Sequence, residues 1–172
     1  RAIMNMDNKT GISIMKINNK LDAGPICNKY EVDIKKQDNA ETISEKLSML
    51  ASEKILEEID SIVDGKANFI EQDNKKATYA RKIEKAEGKI NWNNRADEIL
   101  GLINGLYPTP GAWFIYKGER HKILKAEVSN ASGEPGVVLS ENLEIGCNEK
   151  SLKIIEIQRE GKKIQKSGEF LL

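Results

Sequence analysis

Three kinds of hydrophobic spacing follow one another along the chain. Gly11-Ile12-Ser13-Ile14-Met15-Lys16-Ile17 places apolar side chains on both faces, as in a strand covered on two sides. Ile26, Tyr30, Val32 and Ile34 then alternate with Cys27, Lys29, Glu31 and Asp33, which predicts a half-exposed strand. The period next changes to that of a helix, with Leu47, Leu50, Ala51, Ile55, Ile59 and Ile62 on one stripe. Asp38 offers an N-cap with Glu41 three residues on, and Gly65 ends the pattern. Two strands and one helix cannot bury both faces of the first strand, so this unit needs partners that these residues do not supply.

The second half reads differently. Ala96, Ile99, Leu100, Ile103 and Leu106 form the stripe of a short helix, stopped by Gly105 and then Pro108 and Pro110. Five short strand-like runs follow at residues 112–116, 121–128, 137–139, 143–147 and 152–157. Turn signals separate them at Lys117-Gly118, Ser132-Gly133 and Glu141-Asn142, and Glu160-Gly161 closes the last. Five short strands at this spacing predict a small β-barrel. The polar stretch Gln72-Asp73-Asn74-Lys75-Lys76, which has no apolar periodicity, marks a linker between the two units.

Charge sharpens that division. The 172 residues carry 27 basic and 27 acidic side chains, but residues 1–74 hold 10 basic against 14 acidic and residues 75–172 hold 17 against 13. A hydrophobic fraction of 39% with 31% charged residues is a globular balance, and excludes disordered and collagenous classes. No apolar run approaches the roughly 18 residues of a membrane span. The chain opens on Arg1 with no signal-peptide order of segments, so a cytoplasmic protein whose sequence continues upstream is expected. Cys27 and Cys147 stand far apart without a Cys-x-x-Cys or His-x-x-x-His companion, which predicts buried thiols and neither a disulfide framework nor a metal site.

Candidate chemistry concentrates between the first two strands. Asn18-Asn19-Lys20-Leu21-Asp22-Ala23-Gly24-Pro25 packs a carboxylate, a glycine and a proline into a tight connection. Asp22 there is either a turn residue bonding nearby amides or a carboxylate at a strand end that manages a proton in a cleft. The sole histidine, His121, reads as a half-exposed strand residue. Trp92 and Trp113 sit among apolar neighbours, which favours core packing over stacking on a ligand.

Thr10-Gly11-Ile12-Ser13-Ile14-Met15, followed by Leu21-Asp22-Ala23-Gly24-Pro25, resembles the catalytic loop of the folate-dependent formyltransferases. Downstream, three motifs are similar to the linker and carboxy-terminal domain of the methionyl-tRNA formyltransferase family: Ala77-Thr78-Tyr79-Ala80-Arg81-Lys82-Ile83, Gly88-Lys89-Ile90-Asn91-Trp92 and Pro108-Thr109-Pro110-Gly111-Ala112-Trp113. The resemblance implies an α/β plus β fold. Residues 1–66 would be the remainder of a Rossmann-like catalytic domain (two strands and a helix), 67–85 a linker, and 86–172 a small OB-like β-barrel.

The implied reaction moves a formyl group from 10-formyltetrahydrofolate, the cosubstrate, to the methionine amino group of initiator methionyl-tRNA, without a metal. Asp22 takes the place of the catalytic aspartate, Ile17, Asn18, Asn19, Lys20 and Leu21 line the folate site, and Ser13 supports the aspartate. The family's Asn-x-His lies upstream, so the chain is expected to be a fragment that is inactive alone. The resemblance implies a monomer at full length that engages neither membrane nor DNA. Lys75, Lys76, Arg81, Lys82, Lys85 and Lys89 around the linker, with Arg120, Lys122, Lys125, Lys162 and Lys163 near the strands, are candidates for phosphate contact with tRNA. Two other readings stand beside this one: a formyltransferase acting on an amino-sugar nucleotide, which shares the loop, and a truncated module that binds RNA through its barrel.

Overall fold

The computed structural model describes residues 1–171. It contains two compact units, one formed by Asn8–Lys35 and Thr42–Arg81, the other by Arg1–Asp7, Lys36–Glu41 and Lys82–Leu172.

In the first unit, β1 (Lys9–Met15) and β2 (Ile26–Asp33) form an antiparallel hairpin in register from Lys9 opposite Asp33 to Met15 opposite Ile26. Thr10, Ile12 and Ile14 are half-buried while Gly11 and Ser13 are exposed, so β1 is covered on one face. The second face expected to be covered is open among the described residues, which lack the partners it requires. The expected run included Ile17, which lies beyond the strand and is 96% exposed. Helix α1 (Ala40–Val63) follows, two residues after the buried Asp38. The stripe read from the sequence is present but largely uncovered: among α1 residues only Ile43 and Glu58 are buried, while Ile55, Leu56, Ile59, Ile62 and Val63 are exposed. Gly65, at φ +69°, turns the chain back, and Ile70 pairs with Ile26 through N–H···O bonds of 2.8 and 2.9 Å. Part of the expected linker is thereby an extra edge of the β2 end.

In the second unit, α2 (Ala96–Gly105) buries Ala96, Ile99 and Ile103. Its glycines let residues 1–7 approach: a Cβ at Gly105 would lie 2.4 Å from Met4 Cγ, and one at Gly101 3.2 Å from the Ile3 carbonyl. The strands β3 (Ala112–Tyr116), β4 (Glu119–Ser129), β5 (Val138–Ser140), β6 (Glu144–Gly146), β7 (Ser151–Arg159) and β8 (Ile164–Lys166) form an antiparallel sheet ordered β3-β4-β7-β6-β5, with β8 also on β7. A short helix, α3 (Ser167–Phe170), follows β8. All five expected strands exist, β3 with the expected ends and the other four with shifted ones; β8, a single apolar residue among polar ones, carries no alternation that could announce it. The strand pairings of the described residues leave β3 and β5 unjoined at the two ends of the ladder, so the architecture shown is α/β with antiparallel sheets.

The core of this unit joins Ile99 and Ile103 to Ile123, Leu152, Ile154 and Ile157. Register shifts between Ile123 and Ala126 break the alternation of β4, and Ile123 and Leu124 are both buried although adjacent. His121 is 3% exposed, which corrects the half-exposed expectation. Its register partner Phe114 stacks on it at 5.5 Å between ring centroids, and Phe170 meets its edge at 5.5 Å, so three aromatic elements converge where alternation alone suggested solvent. Trp92 packs against the core and meets Phe114 edge-on at 5.6 Å, as core packing requires.

Leu152 is fully buried and Leu56 is 68% exposed. Leu152→Ala is expected to cost about 2–5 kcal/mol and Leu56→Ala within about 0.5 kcal/mol in urea titrations of the chain. Equal losses at the two positions would contradict this placement of the core.

Candidate functional site

Residues 16–25 connect β1 to β2, and their backbone lies outside the sheet ladder. Lys16 N–H donates to the Pro25 carbonyl at 3.0 Å and closes the base of the loop. Within it, Asn18 accepts from Lys20 N–H at 2.9 Å and donates through Nδ2 to the Ala23 carbonyl at 3.0 Å. Gly24 is required sterically, since a Cβ there would lie 1.7 Å from the Lys16 carbonyl oxygen. Asp22 adopts φ +51°, a left-handed conformation that aspartate tolerates better than most residues. Its carboxylate is exposed and makes no hydrogen bond to another described residue.

Gln72, fifty positions downstream, reaches this loop from the returning segment. Its Nε2 lies 2.9 Å from the Asp22 carbonyl and 2.7 Å from the Gly24 carbonyl, donating to both. An open groove of about 1110 Å³ runs between the loop and residues 70–80, lined by Lys20, Leu21 and Asp22 on one side and Ile70, Gln72 and Tyr79 on the other. Tyr79 is 91% exposed there.

Of the residues expected to line a folate site, Ile17, Asn18, Asn19, Lys20 and Leu21 all fall on this exposed loop, and Ile17 and Leu21 present bare apolar side chains. Ser13 does not join them. It sits within the hairpin opposite Lys29, with no hydrogen bond to Asp22. Sequence reasoning missed Gln72, whose only local sign is its place two residues after Ile70.

It also missed a cluster around Glu58 of α1. Glu58 is 5% exposed and accepts from Asn28 Nδ2 at 2.6 Å, Cys27 Sγ at 3.2 Å and the Tyr30 hydroxyl. The Tyr30 hydroxyl first, then Cys27 and Asn28, hold the Glu58 carboxyl below the usual carboxylate range. Burial and the same carboxylate raise the Cys27 thiol, and the bond to Glu58 raises the Tyr30 phenol. Cys27 is half-buried, where the sequence predicted a buried thiol. Cys147 is buried, and burial pushes its thiol up to about 11.

The basic candidates divide between the units. Lys75 and Lys76 lie in a 3-10 turn of the first unit with Arg81 nearby in sequence, all exposed. Lys82, Lys85 and Lys89 are exposed in the second unit. There Arg120 and Lys122 line a depression of about 270 Å³ with Gln158 and Gly161, and the Arg120 guanidinium lies 4.2 Å from the Trp113 ring centroid. Trp113 is therefore the partner of a cation rather than a core residue. Its Nε1 donates to the Lys85 carbonyl at 3.2 Å. Lys125, Lys162 and Lys163 are exposed outside the depression.

With this geometry in view, the family model described as formyl transferase, C-terminal domain, matches residues 82–172, and that described as formyl transferase matches residues 1–59. The chain is 62% identical to a methionyl-tRNA formyltransferase of Pelagibacter ubique, over 100% of this chain and 56% of that protein. It is 42% identical to a methionyl-tRNA formyltransferase of Thermodesulfovibrio yellowstonii, over 99% and 56%. The chain thus spans about half the length of these curated relatives. Among solved structures, HypX from Aquifex aeolicus in complex with tetrahydrofolic acid superposes with a TM-score of 0.75 at 19% identity, covering 99% of this chain and 31% of that one.

The Glu58 cluster sets a pH dependence. A carboxyl lowered on folding adds stability above its ordinary value of about 4.3, and that stability is lost as pH falls through the folded value. Tyr30 and Cys27, both raised, add stability that is lost only as pH rises through their folded values. The urea midpoint of the chain is expected to fall more steeply on acidification below pH 5 than that of Glu58→Gln; parallel slopes would contradict the cluster.

Proposed function

The chain belongs to the formyl transferase family, and from that premise we propose that it forms the carboxy-terminal portion of an enzyme that formylates initiator methionyl-tRNA from 10-formyltetrahydrofolate. The observation that carries this reading is the loop of residues 16–25, whose exposed carboxylate at Asp22 is held in a left-handed turn on the wall of an open groove. A turn aspartate needed only for local structure would spend its side chain on nearby amides. Here carboxamides and backbone amides close the turn, and the carboxylate is left for a reacting group.

On this reading residues 1–66 belong to a Rossmann-like catalytic domain, 67–85 to a linker and 86–172 to an OB-like β-barrel domain. Folate supplies the formyl carbon. Ile17 and Leu21 give apolar surface to its ring, and Asn18, Asn19 and Lys20 give polar groups at the rim. An amine that attacks a formyl carbonyl becomes positively charged and must lose a proton. Asp22 receives that proton, or orients the partner that does, together with an Asn and a His from the preceding part of the enzyme, while the bond from the formyl carbon to the folate nitrogen breaks and that nitrogen leaves protonated, as tetrahydrofolate. The basic residues around the linker and on the second unit, among them Lys75, Lys76, Lys82, Lys85, Lys89, Arg120 and Lys122, steer the polyanionic acceptor. The setting is cytoplasmic translation initiation, with a monomeric enzyme. Among the described residues no helix is long and apolar enough to cross a membrane.

In the full-length enzyme, Asp22→Asn is expected to lower formyl transfer by about 10²–10⁴-fold with the melting temperature nearly unchanged. A well-folded variant with near-normal turnover would overturn the assignment.

A further inference from the structure

Three successive carbonyls, those of Asp22, Ala23 and Gly24, point away from any strand partner, and each is taken by a side-chain carboxamide. Asn18 Nδ2 takes the Ala23 carbonyl at 3.0 Å, and Gln72 Nε2 takes those of Asp22 and Gly24 at 2.9 and 2.7 Å. Asn18 belongs to the loop itself, so it stiffens the turn without fixing where the turn points. Gln72 comes from outside the loop, on a segment anchored two residues earlier by the Ile26–Ile70 bridge. It therefore ties the Asp22 backbone to the strand frame through the carbonyls on either side of Ala23. Aspartate tolerates the left-handed conformation seen at Asp22, and the paired carbonyl bonds hold the peptides that follow it in place.

We propose that Gln72 is a positioning residue for Asp22: its carboxamide holds the loop so that the Asp22 carboxylate stands at one fixed place in the groove. This inference rests on the catalytic reading of Asp22 given above. It assigns to the interdomain segment a role in the chemistry, beyond joining two domains. Gln72 spends its carboxamide N–H groups on these two carbonyls, with Met15 Sδ 3.8 Å away, so its proposed action on the chemistry runs through Asp22.

The test has two parts. In the 172-residue chain, Gln72→Met keeps the side-chain volume and removes both donors. Exchange of the Lys16 and Ile26 amides, which are hydrogen-bonded at the base of the loop, is expected to speed up several-fold while exchange in β7 is unchanged. In the full-length enzyme the same variant is expected to lower kcat by about 10- to 100-fold, with KM for the folate within about threefold, since misplacing a catalytic group costs turnover more than binding. Combined with Asp22→Asn, it is expected to add no further loss, because a residue that acts only through Asp22 has nothing left to position. A full multiplicative loss in the double variant, a change confined to KM, or unchanged kcat would each overturn the role of Gln72 even if Asp22→Asn is inactive. A near-normal rate for Asp22→Asn itself would instead remove the catalytic reading on which the inference stands.

Discussion

Ten residues must carry the chain from β1 back to β2 without ladder partners for their carbonyls, and this accounting of backbone hydrogen bonds shapes the whole first unit. Buried or crowded carbonyls need donors. Where a two-residue hairpin turn would supply them automatically, this longer loop draws them from side chains. Asn18 closes the tip, Lys16 and Pro25 close the base, and the missing Cβ of Gly24 lets the two arms touch. The remaining carbonyls depend on Gln72 and hence on the return of residues 67–72 along β2. An exposed loop is thereby built on the strand frame, the arrangement that lets a loop side chain hold position without burial.

Helix α1 is joined to the same frame by a polar contact more than by its apolar stripe. Glu58 is buried yet faces three neutral donors rather than a cation, while Lys54 lies 5.9 Å from the Tyr30 ring centroid and forms its ion pairs with Glu53 and Glu57. Buried carboxylates are tolerated when hydrogen bonds satisfy their lone pairs, and such a contact fixes register more sharply than apolar packing does. The second unit is organised in the opposite way. Its isoleucine and leucine core between α2 and the sheet is conventional, and its special feature lies outside, where Arg120 stacks on Trp113 beside Lys122.

Much of this was legible in the chain. Alternation in residues 26–34 and the helical stripe after residue 47 gave β2 and α1, and Gly105 with Pro108 gave the end of α2. The loop around Asp22 stood out because a carboxylate, a glycine and a proline crowd one connection. What escaped was long-range. Gln72 and Glu58 act on residues 48 to 50 and 28 to 31 positions away, and nothing in their neighbourhoods encodes those partners. His121 was misplaced because alternation cannot show that Phe170, from the far end of the chain, covers it. Trp113 was read as core because its neighbours are apolar, although its ring receives a guanidinium across the β3–β4 pair.

The central claim is that this loop and the second unit serve one reaction, formyl transfer to a tRNA-borne methionine. The direct measurement is single-turnover transfer from 10-formyltetrahydrofolate by the full-length enzyme, offered initiator methionyl-tRNA and an amino-sugar nucleotide in separate reactions at equal enzyme concentration. Rapid formylation of the tRNA, weakening as salt rises, with the sugar nucleotide left unmodified, is the predicted result. Formylation of the sugar nucleotide with the tRNA untouched would contradict the account.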